Sequence, residues 1–124
     1  MSQDVSATVE SLNNHLNAQA ITELQELLGT DKFKYLVNIF CENSNKTIEI
    51  LKENSTDHDF EVLYASGHSL AGSSANMGAL VLCELCRQLE QQAKSKFAEH
   101  IPTLIEGIIA EHKQVLAEFA KLIS

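Results

Sequence analysis

His68 lies in the run Gly67-His68-Ser69-Leu70-Ala71-Gly72-Ser73-Ser74-Ala75-Asn76-Met77-Gly78-Ala79, a lone imidazole among small residues. At neutral pH an imidazole keeps a free nitrogen lone pair, so it can serve as nucleophile, base or metal ligand. Helical phase says which way it faces. Leu63, Gly67, Leu70, Ser74 and Met77 follow at spacings of four, three, four and three, the pattern of a buried seam. At about 100° per residue, His68 points roughly 135° away from the centre of that seam. Tyr64, Ala65, Ala71, Gly72 and Ala75 share this outer face. A solvated helix face ordinarily carries Lys, Glu and Gln, so a face of Ala and Gly asks for another reason. Gly72 alone costs about 1 kcal/mol relative to Ala in a helix interior. Either the small residues let a large group reach the ring, or Gly72 and the serine pair permit close helix packing. Geometry leaves both open.

Other residues with chemical potential weaken when they are phased. Cys83-x-x-Cys86 has the spacing of a dithiol or half a zinc site. On a helix, however, Cys86 joins the apolar stripe of Leu82 and Leu89, and no second Cys or His pair has matching spacing. A metal or redox bundle using Cys83, Cys86 and a histidine is therefore the weaker reading, and no metal ligands are assigned. His112 aligns with Ile108, Val115 and Leu116 as a partly buried packing residue. His15, His58 and His100 sit in polar surroundings. Glu23, Glu26, Glu49 and Glu53 lack the Glu-x-x-His pairing of di-iron bundles. No glycine-rich loop leads into a helix with a phosphate-binding Lys, so an ATP-dependent kinase is not expected.

These residues must be held by helices. Ile21, Leu24, Leu27 and Leu28 recur at helical spacing before Gly29, a natural stop. Asp31 can cap a longer helix whose stripe is Phe33, Leu36, Val37, Phe40, Thr47, Ile48 and Leu51. After a polar break from Asn54 to Asp59, a helix carries Phe60 to about Ala75 and ends near Gly78, at a left-handed position. Another runs from about Ala79 to Lys94. The last begins around Phe97 or Ile101, takes Pro102 in its first turn, and runs to Leu122. No segment alternates with a period of two, so no strands are expected. The fold class is all-α: an antiparallel four-helix bundle with a short additional N-terminal helix packed across it. Residues 1–16 read as a weakly ordered or helical lead-in, and 17–124 as the bundle.

Composition narrows the partners. The chain has 124 residues, with nine Lys and Arg against seventeen Asp and Glu, a net charge of −8. Such a balance disfavours nucleic acid and anionic membrane surfaces. No apolar run approaches the roughly 18 residues of a membrane span. The polar start lacks a signal-peptide pattern, and three cysteines without secretory context fit a reduced cytoplasmic protein. No large outer apolar stripe demands a dimer, so a monomer is expected.

The His68 segment resembles the signature of histidine-containing phosphotransfer (HPt) domains: His-x-Leu-Lys-Gly-Ser-Ser/Ala, two variable residues, an apolar residue, then Gly. His68, Leu70, Gly72, Ser73, Ser74, Met77 and Gly78 match in register. Leu82-Cys83-Glu84-Leu85-Cys86-Arg87-Gln88-Leu89-Glu90 is similar to the family's next helix, and the helix order fits over about residues 17 to 122. One position departs, because Ala71 stands where the family usually has Lys. Phosphohistidine is then less stabilised, or Arg87 or Lys94 substitutes, or the partner supplies the charge.

The resemblance implies a phosphorelay carrier that accepts a phosphoryl group on His68 from a receiver-domain aspartyl phosphate and passes it to another response regulator. A free histidine titrates at about 6.5, which suits a neutral nucleophile. A hydrogen bond at the nearer ring nitrogen would fix the tautomer; Glu90 is the first candidate and Gln88 the second. Gly72, Ser73 and Arg87 would form the phosphate environment, and Tyr64, Ala65, Ala71, Ala75 and Ile21 the receiver-docking face. Partners would be receiver domains and a hybrid sensor kinase. No cofactor is expected on this chain, and Mg²⁺ is expected on the receiver. A chain starting at Met and holding one domain suggests a free-standing carrier, although a piece of a hybrid kinase has the same features. The alternative function is a helical adaptor that docks a receiver without transfer.

Overall fold

The computed structural model describes residues 15–56 and 59–124. The expectations for residues 1–14 and for His58 fall outside the described residues. Within them the chain forms four helical runs and no strand. The first, α1, is Ala18–Glu53, capped by Asn17, whose side-chain oxygen accepts from the Ala20 amide at 2.9 Å. Gly29 interrupts it with φ 78° and ψ 171°. Only Gly adopts that conformation without strain, so the run divides into segments 18–28 and 30–53. This is the short N-terminal helix followed by the first bundle helix. The helix resumes directly after Gly29, which puts Asp31 inside it rather than at a cap.

The second helix, α2, is Phe60–Asn76, with the Asp59 carboxylate accepting from the Val62 amide at 3.2 Å. The turn that follows it has Gly78 at φ 74°. Helix α3 is Leu80–Lys94 and α4 is Ile101–Ile123, with Pro102 in its first turn. Packing is most extensive between α2 and α3, then between α3 and α4, and α1 closes the ring against α2 and α4. The result is the expected four-helix bundle with its short extra helix.

The core between these helices holds Phe33, Val37, Phe40, Leu63, Leu70, Leu82, Leu89, Ile105, Ile108, Val115 and Phe119. Phe40 and Phe119 meet edge to face at 5.7 Å between ring centroids. Each such side chain contributes about 1.5–3 kcal/mol on burial. Residues 15 and 16 also pack onto this core. Leu16 is buried, and His15 Nδ1 lies 2.9 Å from a Glu111 carboxylate oxygen on α4.

Segment 18–28 packs where it matters for the site. The Asn17 amide donates to the Gly78 carbonyl at 2.7 Å. A Cβ at Gly78 would sit 3.1 Å from the Ala20 Cβ and 3.6 Å from Ile21 Cδ1. Glycine therefore serves both the turn and the close approach. Ile21 is completely buried here, so it belongs to the core and not to a docking face. Leu27, placed on the same stripe by spacing, is 79% exposed. It lies six residues after Ile21, which at about 100° per residue carries it off the stripe of Ile21, Leu24 and Leu28.

Candidate functional site

His68 stands in the middle of α2 with its side chain 64% exposed. Leu63, Ser66, Gly67, Leu70 and Ser74 are buried on the side turned away from it, so the expected outward orientation holds. Its Nδ1 is 3.1 Å from Oε2 of Glu90 on α3. An ionised carboxylate can only accept, so Nδ1–H is the donor, and the lone pair is left on Nε2, remote from the backbone. The Glu90 side chain is only 17% exposed. Its other oxygen, Oε1, lies 3.7 Å from Arg87 Nη1. Glu90 is thus held between a ring that needs orienting and a cation one turn away.

Gly67 makes this pairing possible. A Cβ there would lie 3.1 Å from the Cys86 carbonyl oxygen and 3.4 Å from the Glu90 backbone nitrogen. The missing side chain lets the α3 backbone approach α2 immediately beside His68. The sequence placed Gly67 in the seam without recognising that role; a glycine at a seam position, where apolar bulk is the norm, was the signal. Gly72 is the opposite case. A Cβ there would meet nothing within 4 Å. Close helix packing is therefore not its purpose, and the open alternative, space for a group approaching the ring, is the one the structure retains.

The outer face around His68 is narrower than the sequence suggested. Tyr64 and Ala65 are exposed and Ala75 is half-buried. The Tyr64 ring lies parallel to the imidazole, 9° between planes and 6.0 Å between centroids. Ala71, however, is fully buried and offers no docking surface. The two-sided packing of α2 against α1 and α3 widens the buried arc past the seam counted from spacing. Ser73 is exposed, and its hydroxyl donates to the Leu70 carbonyl at 3.3 Å rather than facing the ring. Gln88 is exposed and donates to Glu84 at 3.4 Å, so the second candidate for ring orientation is not brought to His68. Arg87, Glu90, Gln91 and Lys94 line a polar notch of about 150 Å³ beside the pair.

The remaining candidates pack. Cys86 is completely buried and Cys83 nearly so. Burial, then the neighbouring Cys83, pushes the Cys86 thiol up to about 12, against a smaller lowering by Arg87. Such a thiol is a poor thiolate. Among the described residues no group of three or more His, Cys, Asp or Glu side chains is placed to hold a metal ion. His112 is buried, with Nε2 2.8 Å from Ser44 Oγ. The Ser44 hydroxyl donates to the Cys41 carbonyl at 3.3 Å, which leaves its oxygen to accept from His112.

Comparison with known proteins gives a consistent answer. The family model of the Hpt domain matches residues 36–119. The chain is 32% identical over 80 residues to the phosphorelay protein LuxU of Vibrio harveyi, covering 64% of this chain and 70% of that one. It is 26% identical over 85 residues to the sensor protein TorS of Escherichia coli K12, covering 68% of this chain but 9% of TorS. The fold superimposes on the crystal structure of histidine-containing phosphotransfer protein B from Pseudomonas aeruginosa PAO1 with a TM-score of 0.83. That match has 29% identity and covers 88% of this chain and 94% of the other.

Proposed function

The chain belongs to the Hpt domain family and is a phosphotransfer carrier in a phosphorelay, and from that premise we propose that His68 is the residue that carries the phosphoryl group. The observation that carries this reading is the 3.1 Å pairing of Nδ1 with Glu90 on an otherwise exposed ring. It leaves Nε2 as the nucleophile. The Nε2 lone pair attacks the phosphorus of a receiver's aspartyl phosphate, the P–O bond to the carboxyl group breaks, and the aspartate leaves as a carboxylate. Positive charge develops on the ring as the N–P bond forms, and the nearby Glu90 carboxylate offsets it. Transfer onward reverses these steps on a second receiver. Phosphoryl transfer depends mainly on in-line positioning and charge neutralisation, and an oriented ring on a convex helix supplies the first.

For the second, this chain offers Arg87 and the notch it shares with Lys94. Gly72 leaves room for the phosphoryl oxygens, and Tyr64, Ala65 and Ala75 are surface for the partner. In this reading Mg²⁺ is held by the receiver. The partners are receiver domains and a sensor kinase; we assign a cytoplasmic setting and a monomeric carrier. No helix among the described residues is long and apolar enough to cross a membrane. An adaptor that only docks would have no use for a carboxylate holding the ring nitrogen. The test is incubation with a phosphorylated receiver. The expected label is acid-labile, base-stable and absent from His68→Gln; stable binding with no label in the wild type would instead support the adaptor.

A further inference from the structure

A second concavity adjoins the histidine. Phe60, Glu61, Tyr64, Ala93, Lys94 and Lys96 line a hollow of about 300 Å³ where α2 passes the end of α3. It is continuous with the site, because Tyr64 both walls the hollow and lies parallel to the His68 ring. Its lining is mostly apolar, and its charged residues are Glu61, Lys94 and Lys96.

Lys96 occupies an unusual position there. Helix α3 closes with the Phe97 amide donating to the Gln92 carbonyl at 2.9 Å and the Lys96 amide to the Ala93 carbonyl at 3.1 Å. This pairing is the helix end that normally has glycine in the left-handed position. Lys96 takes that position with φ 55°, the one residue other than glycine with positive φ among the described residues. A side chain is strained there and glycine is not. A strained lysine at the edge of an apolar hollow points to a use for the ammonium group.

Charge gives the same direction. The chain carries a net charge of −8, yet Arg87, Lys94 and Lys96, three of its nine cationic residues, fall within ten positions of one another. Neither Lys94 nor Lys96 is paired with a carboxylate among the described residues. A phosphorylated receiver must bring an anionic aspartyl phosphate and a large flanking surface against the field of the whole chain. Local cations beside the approach path raise the encounter rate and set the donor's orientation.

On the reading that His68 is the phosphoryl acceptor, we propose that this hollow and its lysine rim are a docking subsite for the donor receiver. The hollow takes an apolar side chain from the receiver's surface beside its aspartyl phosphate, and Lys96 pairs with a carboxylate flanking that side chain. The subsite selects among receivers and adds nothing to the chemistry at Nε2.

The test uses the full chain with Lys96→Glu and Lys96→Gly. Receiver domains from the source genome are phosphorylated with acetyl phosphate and screened for one that labels the wild type. For that receiver, Lys96→Glu is expected to raise KM roughly tenfold at low salt, with kcat within about twofold and a shallower salt dependence. Lys96→Gly is expected to raise KM about threefold while Tm stays level or rises, because the strain is relieved. Phosphoramidate, a small donor that needs no docking, is expected to label all three chains at rates within about twofold. Unchanged KM in both variants overturns the proposal. So does a lowered Tm in Lys96→Gly with unchanged KM, which would make Lys96 a helix cap only. If phosphoramidate labels the wild type and no receiver does, the relay reading fails and the docking subsite falls with it.

Discussion

At the scale of single residues, the site depends on one hydrogen bond between two helices. Glu90 holds Nδ1–H and so decides which nitrogen is free. Glu90→Ala should therefore lower the transfer rate roughly 10- to 100-fold, the cost of a misoriented reactive group. Glu90→Gln keeps an acceptor and loses the charge, so its loss should be smaller. Rapid-quench transfer assays, with ¹⁵N spectra reporting the His68 tautomer, would check both, and an unchanged tautomer in Glu90→Ala would contradict the assignment. His68, its outward direction and its pairing with Glu90 were legible before the structure, because a helical phase and a family register survive without coordinates. It misplaced Ala71 and Ile21. Both are small or apolar residues whose burial depends on which second helix covers them, and a single-helix phase contains no such information.

At the scale of elements, two glycines in one helix have opposite work. Gly67 lets α3 approach, and a Cβ there would meet backbone atoms that cannot rotate away. Gly67→Ala should cost about 1 kcal/mol or more and weaken the His68–Glu90 pairing. Gly72 faces open space, so Gly72→Ala should raise stability by about 0.5–1 kcal/mol and still slow transfer from a receiver. Urea unfolding curves together with transfer assays separate the two; a destabilised Gly72→Ala would mean that the position is packed after all. Helix identities and most ends were readable from capping residues, Gly29, Gly78 and Pro102. The Asp31 cap failed because Gly29 turns the chain within one residue and leaves no gap to cap.

At the scale of the whole molecule, His112 links stability to pH. Burial, then the charge of Lys52, lowers its pKa. Between that lowered value and about 6.5, the unfolded chain binds a proton that the folded chain excludes. Stability contributed by neutral His112 is therefore complete above about 6.5 and is lost as pH falls below it. Urea midpoints should decline from pH 7 toward pH 5, and the decline should flatten in His112→Gln. An equal slope in both chains would assign the acid sensitivity to other groups. Burial of His112 was visible in its stripe, whereas its partner Ser44 was not, since a serine on the 30–53 segment carries no long-range signal.

The exposure of His68 has a consequence for the direction of signalling. The imidazole itself is open to solvent, so the ring presents the same face to an incoming and an outgoing partner, and any preference between them comes from the surface around it. The chemistry at the ring then works as a junction, with traffic set by docking beside it and by the abundance and phosphoryl potential of the receivers on either side. Loaded with phosphate and offered either receiver alone, it should discharge to both, and a signal in the cell would run backward whenever the downstream regulator outlasts its kinase.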